Sequence, residues 1–443
     1  MKQSWKYIGN ALSQNAVPIV FTVLCILSIQ ISGQPLSYVA TETISRITRN
    51  SVLVFSLIIP VLCGMGLNFG IVLGAIAAQV GLTMITHWSI DGMAGIAVAW
   101  VIATVLAGIL GYFVGKLFNK VKGQEMITGM ILGFAAIGVY DIICIYMLGS
   151  VIPMRNPELM LQTVSPEGQL TYVGLRNTVE LHKATKGAID KIWKVPFQKF
   201  LPGLIVVFLL AAACLIAYGC LKKKQPVKDS VRKAGGLLAV AVIAGILQIL
   251  MKLFPSVAQV FFIVQVPVVT MLLIGVIAFL VTFLFKTKLG QDIRTVGNNM
   301  QVATASGIDV DRTRVIATML SMILAAWGQI IYLQNIGNIQ TYNSHEQVGT
   351  YAVAALLVGG ASLEKATIGQ ALVGTTLFHI LFFIMPLAGT VLFNGDSMYG
   401  EYFRVFLCYG IIAISLALYS LKKNREEKLK QEAEMRVVLS EQK

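Results

Sequence analysis

The sequence predicts an all-α, polytopic membrane bundle of about ten to twelve spans, some of them short, broken or re-entrant, with both termini cytoplasmic. Three observations predict it. Charged residues fill 13% of the 443 positions against 56% hydrophobic ones, and mean hydropathy is +0.76, a balance water-soluble domains of this length do not keep. The apolar residues form long runs, such as 16–32, 94–118 and 261–285, near the ~20 residues a helix needs to cross hydrocarbon and without the alternation of a barrel strand. Basic residues gather at the ends of these runs, where they meet headgroups and set orientation.

Taken in order, spans are expected near 16–32, 51–67, 69–87, 94–117, 126–149, 201–221, 234–254, 260–285, 315–333, 347–361, 366–386 and 403–421. The first follows Lys2 and Lys6 but lacks a small-x-small cleavage site, so it reads as a retained span. Lys116, Lys120 and Lys122, the cluster from Lys222 to Lys233, Lys286 and Lys288, and the tail after Lys422 all fall on one side of an alternating path, which the positive-inside rule makes the cytoplasm. The pairs at 51–87 and 347–386 are short enough to be broken helices. Residues 1–421 thus read as one transmembrane domain. It carries an extracytoplasmic insertion at 151–199, with seven basic and four acidic residues, and is followed by a charged cytoplasmic tail at 422–443.

Several chemistries are excluded. The +14 net charge is spread over span ends rather than along a continuous stripe, which argues against nucleic-acid binding. His87, His182, His345 and His379 stand far apart with no Cys or carboxylate at ligand spacing, so no metal site is expected. The six cysteines lie in or beside apolar runs, where disulfides are not expected. Gly111-Tyr-Phe-Val-Gly115-Lys116-Leu117 has one residue too few and ends in Leu, so it is no phosphate-binding loop; no catalytic residue is expected. Gly111 and Gly115, like Gly66, Gly70, Gly74 and Ala78, read instead as small-residue faces for helix packing.

The most organised polar stretch lies within 286–314. Asn298 or Asn299 can cap a short helix there, Gly307 can end it, and Asp309 or Asp311 can cap the next. Ile293, Val296, Met300 and Ala303 fall close to one apolar stripe. Such a helix along the membrane face suits a groove on a soluble partner, and equally an ordinary amphipathic loop at the headgroups.

The same stretch resembles the permease subunits of bacterial ABC importers of the ribose and simple-sugar, or nucleoside, type. Their ATPase-contact loop is patterned G-x-x-h-R-x-h-G-x-N-x-x-A-A-x-x-S-G-I-x-h-x-[RK]. Gly290, Arg294, Gly297, Asn299, Ala303, Ser306, Gly307, Ile308 and Arg312 stand where that pattern wants them, and Thr304 replaces its second alanine. Leu62-Cys-Gly-Met-Gly-Leu-Asn-Phe-Gly70 resembles the family's G-G-h-[DN]-L-S-h-G turn, without its acidic or serine residues. Ala354 to Leu363 resembles A-A-h-h-h-G-G-x-S-L but continues Glu364-Lys365 where Gly-Gly is usual, and Gln124 to Leu132 is similar to the N-E-h-I-x-x-h-h-L-N stretch of nucleoside-type permeases.

The resemblance implies a permease of the bacterial plasma membrane that binds no cofactor itself. It implies as partners an ATP-binding subunit carrying the ATP, a second permease subunit of the same or a sister chain, and an extracytoplasmic solute-binding lipoprotein docking near 151–199 and 334–346. Polar residues inside apolar runs are costly in lipid unless they face a cavity or partner, which makes Asn68, Asp141, Gln248 and Gln329 candidates for the solute path, with Gly64 at the glycine-rich break. Gln79, Gln370 and His379 qualify on the same ground, while Gln370, like Gln248 and Gln329, also reads as an interhelical hydrogen bonder and His379 as satisfying a neighbouring carbonyl. Trp100 and Trp327 are deep enough to stack a ring but fit core packing. An ion-coupled secondary transporter with inverted halves stays as an alternative, though it leaves the 290–312 loop unexplained.

Overall fold

A computed structural model describes residues 16–164, 170–221, 226–393, 395–396, 398–406 and parts of 409–417. The tail expected at 422–443, the cluster Lys222 to Lys224 and much of the span expected at 403–421 lie outside the described residues. Among the described residues seven helices are long and apolar enough to cross a membrane, or eight counting one pair bent by 70°; three shorter apolar helices accompany them. The polytopic helical bundle expected from composition is therefore what forms. The additions are three two-stranded antiparallel ladders.

The chain divides into two compact units. One holds Gln34–Ser45 and Ile189–Leu272. Within it helices Phe197–Leu221 and Val227–Leu253 pack together around Leu201, Ala244 and Met251, with Phe197 stacked on Phe261. A short ladder pairs Lys194–Pro196 with Gln265–Pro267, and Thr270 hydrogen-bonds the Asp190 carboxylate. The run expected as one span over 260–285 is broken here: helix Pro255–Phe262 ends before that strand, and a new helix, Val268–Leu284, follows. Pro267 lacks an N–H and fits a strand end, and this overrides the continuous apolarity that suggested a single span.

The other unit comprises the chain to Gly33, Arg46–Ala188 and Leu273 onward. Its elements that matter below are α1 (Ala16–Ser32), the part of α2 (Leu36–Phe55) from Arg46 onward, α3 (Ile58–Leu62), α4 (Ile71–His87), α5 (Gly92–Lys120) and α6 (Glu125–Ile142, closed by a π turn to Met147). After the insertion come α7 (Lys288–Asn298), α8 (Met300–Ala305), α9 (Val310–Ile336), α10 (Val348–Val358) and α11 (Ile368–Leu392). The central helix α9 packs on both α4 and α5. Glycines permit the approach: a Cβ on Gly111 would stand 2.7 Å from the Met319 Cα, and one on Gly115 would stand 2.8 Å from the Val315 Cα. That is the small-residue face expected of α5.

The second expected glycine ridge holds only in part. Gly74 and Ala78 lie on α4, but Gly66 has φ of 69° and sits with Gly64 in the turn before it, because the chain reverses between α3 and α4 rather than continuing as helix. The stretch 36–50, too polar to assign as a span, is helical; α2 and α3 together cover Leu36–Leu62 with 72% of the most apolar window buried. Glu42, Arg46 and Arg49 are half-buried on it, and each has an interaction partner within the protein, which is what charged side chains in such a helix require.

The insertion is tied down over the C-terminal end of α9. Thr178–Glu180 pairs with Asn338–Gln340, the Gly187 N–H donates to the Gln334 carbonyl at 2.7 Å, and the Tyr342 hydroxyl donates to the Leu175 carbonyl at 2.9 Å. The two segments expected as outer docking surfaces, 151–199 and 334–346, thereby meet along 178–188.

Candidate functional site

Two features at opposite ends of α9 make up the candidate site. At its N-terminal end, Thr287 caps α7 by accepting from the Gly290 N–H, and Arg294 lies over the Phe285 ring at 5.1 Å. Asn299 caps α8, its side-chain oxygen accepting from Gln301 N at 2.8 Å and Val302 N at 3.1 Å. Gly307, with φ of 78°, turns the chain, and Asp309 caps α9 by accepting from Arg312 N at 2.9 Å. Ile293, Val296 and Ala303 are buried beneath, whereas Gln301, Val302, Thr304, Ser306, Gly307 and Arg312 are exposed. Ala303 and Gly297 are therefore supports of the loop, not its outer face.

Gly297 and Gly64 meet backbone to backbone. A Cβ on Gly64, whose φ is 76°, would stand 2.9 Å from the Gly297 Cα, and a Cβ on Gly297 would run into the Leu62 carbonyl. Only glycine on both sides permits this approach. The α3–α4 break is thus seated directly on α7. Asn68, in the same break, is buried and consumed locally: its oxygen accepts from Gly70 N at 2.9 Å, and its amide donates to the Ser321 hydroxyl at 3.4 Å. Ser321 in turn donates to the Ser56 carbonyl at 2.8 Å. A second break follows α10. Gly360 has φ of 82°, Gln370 donates to its carbonyl at 2.8 Å, and Ser362 closes a turn onto Lys365 N at 3.1 Å.

Beneath this end sits a buried ion pair. Arg314 is fully buried and Glu125 nearly so; they are hydrogen-bonded to each other, Arg314 Nε donates to Asn119 Oδ1 at 2.9 Å, and Gly123 N donates to Glu125 at 2.8 Å.

At the other end of α9 a cavity of about 380 Å³ opens between α2, α9, α10, α11 and the loop 337–347. Its wall carries Arg46, Arg49, Asn50, Asn343, Gln347 and His379, with Tyr351 and Phe382 as aromatic faces. The two rings meet edge to face at 4.8 Å, and Arg46 lies 5.7 Å over Phe382. From Asp311 to Tyr332, at 1.5 Å per residue, the two features are about 30 Å apart, close to a hydrocarbon thickness.

Of the path candidates read from sequence, Gln329 comes nearest the cavity, donating to the carbonyl of its lining residue Ser344 at 2.8 Å. Gly64 and Asn68 belong to the break, Asp141 to α6, and Gln248 to the other unit. His379, read as satisfying a neighbouring carbonyl, lines the cavity, and its Nδ1 has no partner among the described residues. Trp327 donates to Thr104 at 2.8 Å and shares with Trp100 an apolar groove elsewhere. Arg46, Arg49 and Asn50 were not singled out from the sequence. Their signal is three polar side chains within five residues just before the run 51–67.

His345, in the loop beside the cavity, is buried edge-on to Tyr140 at 4.8 Å, with neither ring nitrogen hydrogen-bonded among the described residues. Burial pushes its pKa down from 6.5 to about 4. Between those values the unfolded chain holds a proton the folded one does not, so stability falls as pH drops through that window. From pH 7 to pH 5 this one group costs roughly 2 kcal/mol. Melting curves of wild type and His345→Phe should diverge by that amount on acidification and run parallel above pH 7.

The sequence pattern of a family described as branched-chain amino acid transport system / permease component matches residues 48–416. The chain is 30% identical over 152 residues to the autoinducer 2 import system permease protein of Klebsiella pneumoniae, a match covering 33% of this chain and 42% of that one. It is 27% identical over 153 residues to the galactose/methyl galactoside import permease protein of Salmonella typhimurium, covering 34% and 43%. It is 30% identical over 162 residues to the ribose import permease protein of Bacillus subtilis, covering 36% and 47%. The matches thus span less than half the length of these curated relatives. No solved structure matches the chain. With residues 48–416 following its pattern, the chain belongs to the branched-chain amino acid transport system / permease component family.

Proposed function

We propose that the chain is the permease subunit of an ATP-driven importer of the bacterial plasma membrane, carrying a small polar solute of sugar or nucleoside size. The observation that carries this reading is the build of 288–312: a capped short helix whose inner side is buried on the transmembrane helices while Val302, 54% exposed, stands outward with Ser306 and Gln301. An exposed apolar residue on a rigid mount is what a groove on a soluble ATPase needs. ATP binds that partner. The cytoplasm lies on this side of the membrane, and the cavity at the far end of α9 is the solute site. A second permease subunit completes the path, and a solute-binding lipoprotein docks on the insertion and the 334–346 loop.

Import of ribose, galactose or methyl galactoside by relatives favours a polyhydroxylated ring, and the cavity wall agrees. Amides and guanidiniums suit hydroxyls, whereas a branched aliphatic side chain would find few apolar partners there. The Gln124 to Leu132 stretch supports a nucleoside as the other solute of this size.

Val302→Glu tests the docking face. In the complete transporter it should weaken ATPase association about tenfold or more and abolish uptake, leaving the melting temperature of the isolated permease unchanged, since the side chain is exposed. Uptake driven by an ion gradient in vesicles lacking any ATPase would overturn the importer reading in favour of a secondary transporter.

A further inference from the structure

His379 interrupts the run 377–388 of α11, which is otherwise wholly apolar. A polar ring at that depth is costly unless it has a partner. It is 5% exposed and lines the cavity. Within the protein the ring meets Phe378 and Phe382 edge to face, at 5.1 and 6.0 Å, and its Nδ1 has no hydrogen-bond partner among the described residues. Other polar groups on the wall are engaged. The Asn50 amide donates to the Arg46 carbonyl at 2.9 Å, the Ser344 hydroxyl accepts from Gln340 N at 3.0 Å, and Gln347 accepts from the Tyr409 hydroxyl at 3.5 Å. Arg46 and Arg49 each have interaction partners within the protein. The imidazole, by contrast, is positioned by ring packing, and its hydrogen-bonding capacity is left over.

Buried, and with no carboxylate among the cavity's described lining residues, the ring is uncharged at neutral pH and carries one proton on one of its two nitrogens. A buried N–H without an acceptor is costlier than an unused lone pair, so the proton avoids Nδ1 and sits on Nε2. That leaves one N–H donor for the cavity. Beside it stand the Tyr351 and Phe382 rings, edge to face at 4.8 Å, which suit the C–H face of a sugar ring.

We propose that His379 is a specificity-determining residue of this cavity: its Nε2–H donates to one oxygen of a polyhydroxylated ring whose apolar face lies on Tyr351 and Phe382. The proposal rests on the cavity being the solute site of the importer. It implies that one position of the solute must carry an acceptor oxygen. A sugar deoxygenated there is rejected, because the buried N–H is then left without a partner.

The test is binding of D-ribose and D-galactose to the full-length permease in nanodiscs, wild type beside His379→Phe and His379→Gln. For the tighter-binding sugar, His379→Phe should weaken binding about tenfold, and His379→Gln, whose amide keeps an N–H, should recover most of the loss. The melting temperature of His379→Phe should not fall, because a polar ring lacking a partner gives way to an apolar one. Among the monodeoxy forms of that sugar, one should bind wild type about tenfold more weakly than the parent does, yet bind His379→Phe as well as the parent does. If neither variant folds, histidine nitrogen NMR of the wild type decides: the sugar should shift one Nε2–H resonance, and that resonance should persist in His345→Phe, which removes the other histidine near the cavity. Equal sugar binding by wild type and His379→Phe, the same deoxy losses in both, no shifted resonance, or no binding by either sugar overturns the proposal. ATP-driven uptake of either sugar by the complete transporter, with KM unaltered in His379→Phe, would sink this inference while leaving the importer reading standing, since Val302→Glu tests that reading separately.

Discussion

Replacing Glu125 with alanine is expected to cost about 3–5 kcal/mol of unfolding free energy, the largest single-residue effect anticipated outside the packed core. Arg314 has no exposed surface and Glu125 only 6%, so water cannot take over when the carboxylate is removed. The guanidinium keeps its bonds to Asn119 and the Phe118 carbonyl, but its charge is stranded in a low-dielectric interior. The exposed pair Lys122–Asp311, at 2.6 Å, makes the contrast. Both of its partners are solvated, and Asp311→Asn should change stability by less than about 1 kcal/mol. Because desolvation offsets most of what a buried pair gains, replacing both Glu125 and Arg314 with apolar residues of similar size should restore most of the loss. Denaturant titration of the four proteins in one detergent measures this. A Glu125→Ala variant no less stable than Asp311→Asn would show that the pair is solvated in solution.

This pair also marks where sequence reading stops. Arg314 follows Arg312 at the start of an apolar run and has the profile of a headgroup anchor. Its burial depends on Glu125, 189 positions away, and no local pattern carries that. The cavity was hidden for a related reason. Hydropathy locates helices that face lipid, whereas α2 carries its polar residues against protein. Its stretch before residue 51 therefore fell below the threshold of a span, and Arg46 and Arg49 with it. Local chemistry, by contrast, was readable. The Asn299 and Asp309 caps and the Gly307 turn are each decided within a few residues by side-chain reach and backbone sterics, and α5's glycine face is a periodic feature of one helix. The glycine ridge from Gly66 to Ala78 failed only at its Gly66 end, because periodicity alone cannot distinguish a helix from a glycine-permitted reversal.

The contact between Gly64 and Gly297 gives the second large effect. Gly64→Ala places a Cβ in a left-handed conformation, costing about 1–2 kcal/mol, and drives it against the Gly297 Cα, where overpacking adds about 1–3 kcal/mol. Gly123 has a similarly positive φ, 89°, but nothing within 4 Å of its Cβ position, so Gly123→Ala should carry the strain alone; the difference between the two variants isolates the contact. Gly297→Ala approaches the same contact from the other side with the opposite propensity. Inside a helix alanine is favoured over glycine by about 0.8–1 kcal/mol, so net destabilisation there can come only from the collision with the Leu62 carbonyl. If the contact transmits movement of the 288–312 segment to the α3–α4 break, each variant should retain ATPase binding and still lose most uptake, separating it from Val302→Glu, which loses both. The double variant decides whether one contact is at issue. Once Gly64→Ala has forced the two backbones apart, the second methyl enters space already opened and should cost clearly less than it does alone. Full additivity in stability and in uptake would mean that the two glycines act separately and that the break is not driven through α7.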